Sequence, residues 1–585
     1  MFNSNYFFKR FFIFIVLISI SALSISSSSS NELQFTFHQF FYNDIGMAAG
    51  DVDGDSDFDL LITFTRYMPP LNYCRVYLND GNGNLMDSGQ LLGTLNQVGR
   101  PYLGDFDSDG DQDAIIIPKV YFNDGNGIFT DSGQTIISRT YLSKIAIGDL
   151  DNDGDLDFIN SNESRERLEV LLNDGNGIFT SGQYFGLIYT HEVDLADVDN
   201  DGDLDLGTSM NIGPTLIYLN NGDATFTKYI DLGGTFFTQG GIKFADFNGD
   251  GLIDLAEGNI QGYNRIFFNS GNNQFIDSGQ KINPTEVTEN MAVCDIDNDG
   301  DIDLICSDGA CASCIGGIRV FINDGNGYFN DVIYVISSWS QEIGVADFDN
   351  DSDLDLTCPH LLLNNISDFF PNTPPNEPTN LSSSIDENQA TLMWEDGNDL
   401  QTPLELLTYN LRIGSNPGGN DIFYSEIGPE NTTPSFGNCW HTFQKILNLQ
   451  DGKYYWSVQT VDTGFMRSNW YPEQVFYVGM IEADVDIDPD TLNLKSKGKW
   501  ITCYIELPDG YDVNNIDINS VTLHYNDNSI EADWGEVQGN VCMVKFNRNS
   551  VVLIFNGLSG YVELKITGEV AGTVFEGLDT IRIID

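Results

Sequence analysis

The chain has 585 residues with 87 acidic against 26 basic side chains, a formal charge of −61. Such a field repels phosphate backbones and anionic lipid, which excludes nucleic acid and acidic membrane surfaces as partners. The length calls for about three domains, and nine cysteines, an odd count in so long a chain, do not make a disulfide scaffold.

Residues 1–30 read as an export signal peptide: Lys9 and Arg10 precede an apolar run from Phe11 to Leu23 and a serine-rich stretch from Ser24 to Ser30. The run is shorter than the roughly 20 residues of a spanning helix. No second apolar span follows, so the expected location is secreted or cell surface, with no membrane span beyond that signal. Sequons at Asn162, Asn365, Asn380 and Asn431 fit export.

Between residues 31 and 370 one nine-residue acidic string returns seven times, at spacings of 54, 44, 48, 49, 49 and 52 residues. A fixed period means a repeat fold. The first string places Asp51, Asp53, Asp55, Asp57 and Asp59 at alternate positions. The second places Asp105, Asp107, Asp109, Asp111 and Asp113, and the third Asp149, Asp151, Asp153, Asp155 and Asp157. The fourth carries Asp197, Asp199, Asp201, Asp203 and Asp205. In the fifth the same positions hold Asp246, Asn248, Asp250, Leu252 and Asp254. The sixth has Asp295, Asp297, Asp299, Asp301 and Asp303, and the seventh Asp347, Asp349, Asp351, Asp353 and Asp355.

So many carboxylates at this spacing repel one another unless a cation neutralises them. An all-oxygen set selects a hard cation, and Ca²⁺ suits an exported chain better than Mg²⁺, which prefers octahedral sites with several retained waters. About seven Ca²⁺ sites are expected, one per string. Side chains at positions 1, 3, 5 and 9 are the expected ligands, with the backbone carbonyl at position 7, since Leu252 offers no side-chain oxygen there. An EF-hand is excluded because it needs Glu at position 12, where six of the seven copies lack one, and flanking helices. Position 6 is Gly in five copies and Ser56 or Ser352 in the outer two. A tight loop there wants positive φ, so the first and last sites are expected to be the weaker.

Each period reads as four short strands rich in Val, Ile, Leu and Phe. In the third copy these are KIAIGD, LDFINS, RLEVLLNDG and GIFTSGQ. Turns such as NDGNGIF at Asn123 and Asn173 supply the positive-φ residues of hairpins, and the Phe that follows is placed to pack between blades. The last period lacks a fourth strand, while an extra one, LQFTFHQFF, precedes the first string. The expected fold is therefore all-β: a seven-bladed β-propeller with Ca-binding loops, closed by its N-terminal strand.

The strings and the LNDGNGxF turns resemble the FG-GAP/VCBS repeats of integrin alpha-subunit propellers and of exported microbial proteins. The resemblance implies that the loops join the first two strands of each blade on one face. It also implies that the ions stiffen the blades and that ligands meet the opposite face. The loops of that face would include Arg66–Pro70, Gln183–Tyr189, Gly234–Gly240 and Ser337–Gln341, with Tyr67, Tyr189, Phe236 and Trp339 as aromatic candidates.

A proline-rich linker at residues 371–379 leads to residues 380–479, where TLMWED, YNLRIG and DGKYYWSVQTVD resemble strands of a fibronectin type III domain. Residues 480–585 form a further β domain, expected to be sandwich-like. VDIDPD at Val485 contains Pro489 and no position-9 Asp, so it is not counted as a loop. Cys503 and Cys542 are a candidate disulfide, and Cys306, Cys311 and Cys314 fit a local disulfide better than half a zinc site. The five histidines (His38, His191, His360, His441, His524) fall in no HExxH or GxSxG context. The expected function is that of an exported calcium-binding propeller protein for cell-surface adhesion or recognition of an extracellular protein or carbohydrate ligand. A secreted polysaccharide lyase or hydrolase on the same scaffold and a structural coat protein are the alternatives.

Overall fold

A computed structural model describes residues 33–584 except 42–43, 68–69, 94–98, 137–143, 162–166, 187–189, 211–212, 234–239, 260–261, 284–286, 309–316, 330, 337–342, 359, 367–370, 387, 421, 425–435, 447–448, 451, 480, 509–510, 527, 556 and 572. The chain is nearly all β, with 54% of residues in strands and 3% in helix. Residues 1–30, Cys311 and Cys314, the sequons at Asn162 and Asn431, and most of the loops proposed for the opposite face lie outside the described residues.

Seven antiparallel four-stranded sheets account for residues 35–364. The third runs Ile145–Gly148, Asp157–Asn160, Leu168–Leu172 and Thr180–Phe185, each strand beside the next in sequence. The seventh departs from this order. Gly344–Ala346, Asp355–Thr357 and His360–Asn364 supply three strands, and Phe35–Phe40 adds the fourth, antiparallel to His360–Asn364. The N-terminal strand thus completes the last blade, which joins the two ends of the ring without leaving an open edge.

Sheet faces pack on one another through their apolar residues. Phe179, just after the third blade's turn, stands edge-on to Phe106 of the second at 5.7 Å, and Phe329 does the same to Phe247 at 5.6 Å. Both rings follow an NDGNG turn, so turn and interblade contact are built from one motif.

Beyond the ring, residues 379–478 pair a three-stranded sheet (Thr379–Asp386, Gln389–Glu395, Phe443–Ile446) with a four-stranded one (Phe423–Tyr424, Thr408–Gly414, Gly452–Val461, Gln474–Val478). Trp394 and Trp456 are buried between them. The proline-rich segment lies against this sandwich: Asn372 donates to Asp462 at 2.9 Å, and the Asn376 amide donates to Asn398 O at 2.8 Å. Residues 481–584 form two further sheets around one apolar core, with an α-helix at Arg548–Ile554.

Two expectations about cysteine need correction. Cys503 and Cys542 are free thiols: Cys542 sits opposite Ile505 and Cys503 opposite Val544, a diagonal offset on neighbouring strands, with both side chains in the core. Cys306, also free, is buried in the strand Asp303–Asp308 and not in a loop disulfide.

Candidate metal centres

Each acidic string is the loop between the first and second strands of its blade, and its position-9 aspartate is the first residue of the second strand. That aspartate is stitched identically seven times. One oxygen accepts the position-2 amide, as from Val52 to Asp59 at 2.9 Å and from Val198 to Asp205 at 3.2 Å. The other accepts the amide of the asparagine at, or one residue past, the end of the third strand, as from Asn79 to Asp59 and from Asn220 to Asp205, both at 2.8 Å. Position 1 caps its own loop: Asp105 accepts the amides of Asp109 at 3.2 Å and Gly110 at 3.0 Å.

The backbone of the loop explains its composition. Position 6 has positive φ in every string, including Ser56 at 73° and Ser352 at 72°. Position 4 does too, from Asn350 at 56° to Gly54 at 76°, which is why Asn, Gly and one Ser (Ser108) occupy it.

Oxygens converge as a result. In the first four strings one oxygen from each of positions 1, 3 and 9 lies within 4.8 Å of the other two; in the sixth the trio is Asp295, Asp297 and Asp299. Position 3 provides the clearest test of fit. Oδ1 of Asp53, Asp107, Asp151, Asp199, Asp297 and Asp349 is shielded from solvent and meets no hydrogen-bond donor. A carboxylate oxygen buried without a donor is costly unless a cation takes its lone pair. The residues present therefore fit a hard cation held by positions 1, 3 and 9, with position 5 beside them.

Burial pushes the position-9 carboxyls up, to about 7 at Asp59, 8 at Asp113 and Asp254, and 9 at Asp157 and Asp205. Asp53, Asp107 and Asp151 rise to about 6 through burial and the neighbouring position-5 charge. A dication would reverse these shifts.

Position-7 carboxylates do other work. Asp57, Asp111, Asp155, Asp203 and Asp301 rest on the glycine of the adjacent turn, where a Cβ would meet them at 2.8 Å or less. Asp203 also accepts from Asn152 of the preceding string at 2.7 Å, and Asp57 from Asn350 at 2.5 Å.

Two sets of residues escaped the sequence reading. The same asparagine of each blade donates its side-chain amide to the position-2 carbonyl of the preceding string. These bonds include Asn79 to Phe348 O, Asn123 to Val52 O, Asn173 to Phe106 O and Asn364 to Ile296 O, at 2.7–2.9 Å. Glutamines of the outer strands clamp the next blade in both directions: Gln134 donates to Phe179 O at 2.9 Å and accepts its amide at 3.3 Å. The signal was present in the recurrence of SGQ at residues 88–90, 132–134, 181–183 and 278–280.

A ring of four-stranded blades, each bearing an acidic loop between its first two strands, defines a repeat β-propeller with cation-type loops. Residues 118–160, 149–208, 197–257 and 246–306 each match the FG-GAP-like repeat, and the ring is an FG-GAP repeat β-propeller. A stretch of 99 residues, 16% of the chain, is 31% identical to cartilage acidic protein 1 of Xenopus tropicalis and spans 15% of that protein. Among solved structures, BBS1N in complex with ARL6DN covers 57% of the chain and 96% of its own at 11% identity and a TM-score of 0.37. The extracellular domain of a putative hybrid two-component system from B. thetaiotaomicron covers 76% and 58% at 13% identity and a TM-score of 0.33. The WD40 domain of SCAP from fission yeast covers 89% and 99% at 10% identity and a TM-score of 0.30.

Proposed function

We propose that this chain is an exported recognition or adhesion protein whose propeller is stiffened by calcium. One observation carries the reading. Every acidic string is tied by its position-9 carboxylate into its own blade, and every blade is tied to the string before it, so the ions serve the scaffold and not a reaction. Calcium would be held by the carboxylates of positions 1, 3 and 9, which it would relieve of mutual repulsion. Recognition then falls to the loops on the opposite face, with an extracellular protein or a carbohydrate as partner. Residues 379–478 act as a fibronectin type III-like spacer, supported by the three-plus-four strand order and the buried Trp394.

The test is a glycan and protein array probed with full-length protein in calcium and in chelator, beside polysaccharide-degradation assays. Calcium-dependent capture of a defined ligand supports the reading. Turnover of a polysaccharide, or capture indifferent to calcium, overturns it.

A further inference from the structure

The sandwich domain lies on the same face as the acidic strings. Thr463, fully buried, donates its hydroxyl to Oδ2 of Asp295 at 3.0 Å, and the Asp295 amide donates to Thr463 O at 3.1 Å. Position 1 of the sixth string is thus gripped by a residue of another domain. Gln444 donates to the carbonyl of Gly202 in the fourth string at 3.3 Å, and His441 stands 4.0 Å from the Asp197 carboxylate. Here a cavity of about 30 Å³ separates Asp149 and Asp197 from Trp440 and His441.

The position-6 glycines provide independent evidence. A Cβ on Gly154 would lie 2.0 Å from Ile422 O, and one on Gly300 2.0 Å from Gln401 O. On Gly110, Gly202 or Gly251 a Cβ would meet nothing within 4 Å. The third and sixth strings are therefore covered by sandwich backbone at the residue that turns the loop; the second, fourth and fifth are open there, and the fourth meets the sandwich through Gln444 and His441 instead.

We infer that the third, fourth and sixth strings are interdomain cation sites, and that their occupancy holds residues 379–478 docked on the propeller. The inference rests on the cation reading above. Covering ion-free carboxylates with protein removes water and leaves their charge uncompensated, which opposes docking. A bound dication removes that opposition. The docked domain in turn slows the ion's escape and fixes its ligands, because linkage between the two events is reciprocal. The chain would then contain two classes of site, open and capped. Calcium would set the angle between the recognition ring and the domains behind it as well as the stiffness of the ring.

A matched pair of variants separates this coupling from loop strain. Gly110, Gly154 and Gly300 share φ values of 96°, 98° and 95°. An added Cβ strains all three alike, but only Gly154→Ala and Gly300→Ala collide with the sandwich. Hydrogen exchange of the Asp295 amide, which bonds Thr463 O across the interface, is timed on the full-length proteins, and small-angle scattering gives the radius of gyration. Calcium is counted by calorimetry, and circular dichroism monitors the ring. In calcium, the Gly154→Ala/Gly300→Ala protein is expected to exchange that amide at least tenfold faster than wild type and to scatter as a more extended particle. It should also show weakened binding at the capped sites, while Gly110→Ala stays docked. Wild type in chelator should resemble the double variant. If double variant and control behave alike while the ring stays folded and loaded, the coupling is overturned and the cation reading stands. If calorimetry finds no bound calcium, both fall. Should chelator unfold the ring, the variants in saturating calcium carry the decision.

Discussion

Replacing Asn123 by Ala removes one of the seven bonds that tie each blade to the preceding string. Its side-chain amide is buried and donates to Val52 O at 2.7 Å, and both groups are sealed between the first two blades. The variant loses a hydrogen bond of about 1 kcal/mol and leaves a buried carbonyl unpaired at about 1–3 kcal/mol, a total of about 2–4 kcal/mol. In a ring of this size that lowers Tm by about 3–6 °C. Asn126 is the control: its side chain bonds only Asp124 O of its own exposed turn, at 2.9 Å, and Asn126→Ala should cost less than about 0.5 kcal/mol. Calorimetric melts in saturating calcium compare the two. Equal shifts, or a shift below 1 °C for Asn123→Ala, would refute the claim that these asparagines hold the ring together.

Positions 9 and 3 should separate under chelation. Asp113→Ala strips acceptors from the Asn123 and Phe106 amides and is expected to destabilise by about 2–5 kcal/mol with or without calcium. Asp107→Asn should destabilise only when calcium is present, because its orphaned oxygen has no other use; melts in both conditions decide. Ser56→Gly and Ser352→Gly relieve positive-φ strain of about 1 kcal/mol and should raise calcium affinity of the outer sites about fivefold, read by calorimetry. The pH response follows from carboxyls raised by burial to about 7–9 at Asp59, Asp113 and Asp157. In chelator the folded state binds more protons than the unfolded state above pH ~4, so stability should fall as pH rises from about 4 to 9. In calcium the sign reverses, because protons compete with the ion below those values. Parallel pH–Tm curves in the two buffers would contradict the assignment.

Much of the fold was legible because its signals were local and repeated. The string marks the first strand-to-strand loop, the Asn-Gly turn marks the next hairpin, and a missing fourth strand near His360 paired with a spare one at Phe35. That carboxylate oxygens of the strings would converge could be read from the spacing, because alternate residues of a tight loop share a side. Three features could not be read so easily. The positive φ at position 4 was masked because Gly stands there in only two copies, and the Asn or Ser of the others is also common in ordinary turns. The Asn123-to-Val52 bond joins residues 71 positions apart, and nothing local announces a partner at that distance. The Thr463–Asp295 contact crosses a domain boundary and spans 168 residues, beyond any repeat. Cys503 and Cys542 failed for the opposite reason: both looked strand-borne and paired, but the register placed them diagonally.

The most direct measurement is a calcium titration of chelator-stripped, full-length protein by calorimetry, with the melting temperature followed at each step. The account predicts uptake of about seven ions per chain, one per acidic string, and a melting temperature that climbs as the sites fill. No heat of binding, or binding that leaves the melting temperature where chelator set it, would contradict the claim that the strings are the cation-dependent frame of this propeller.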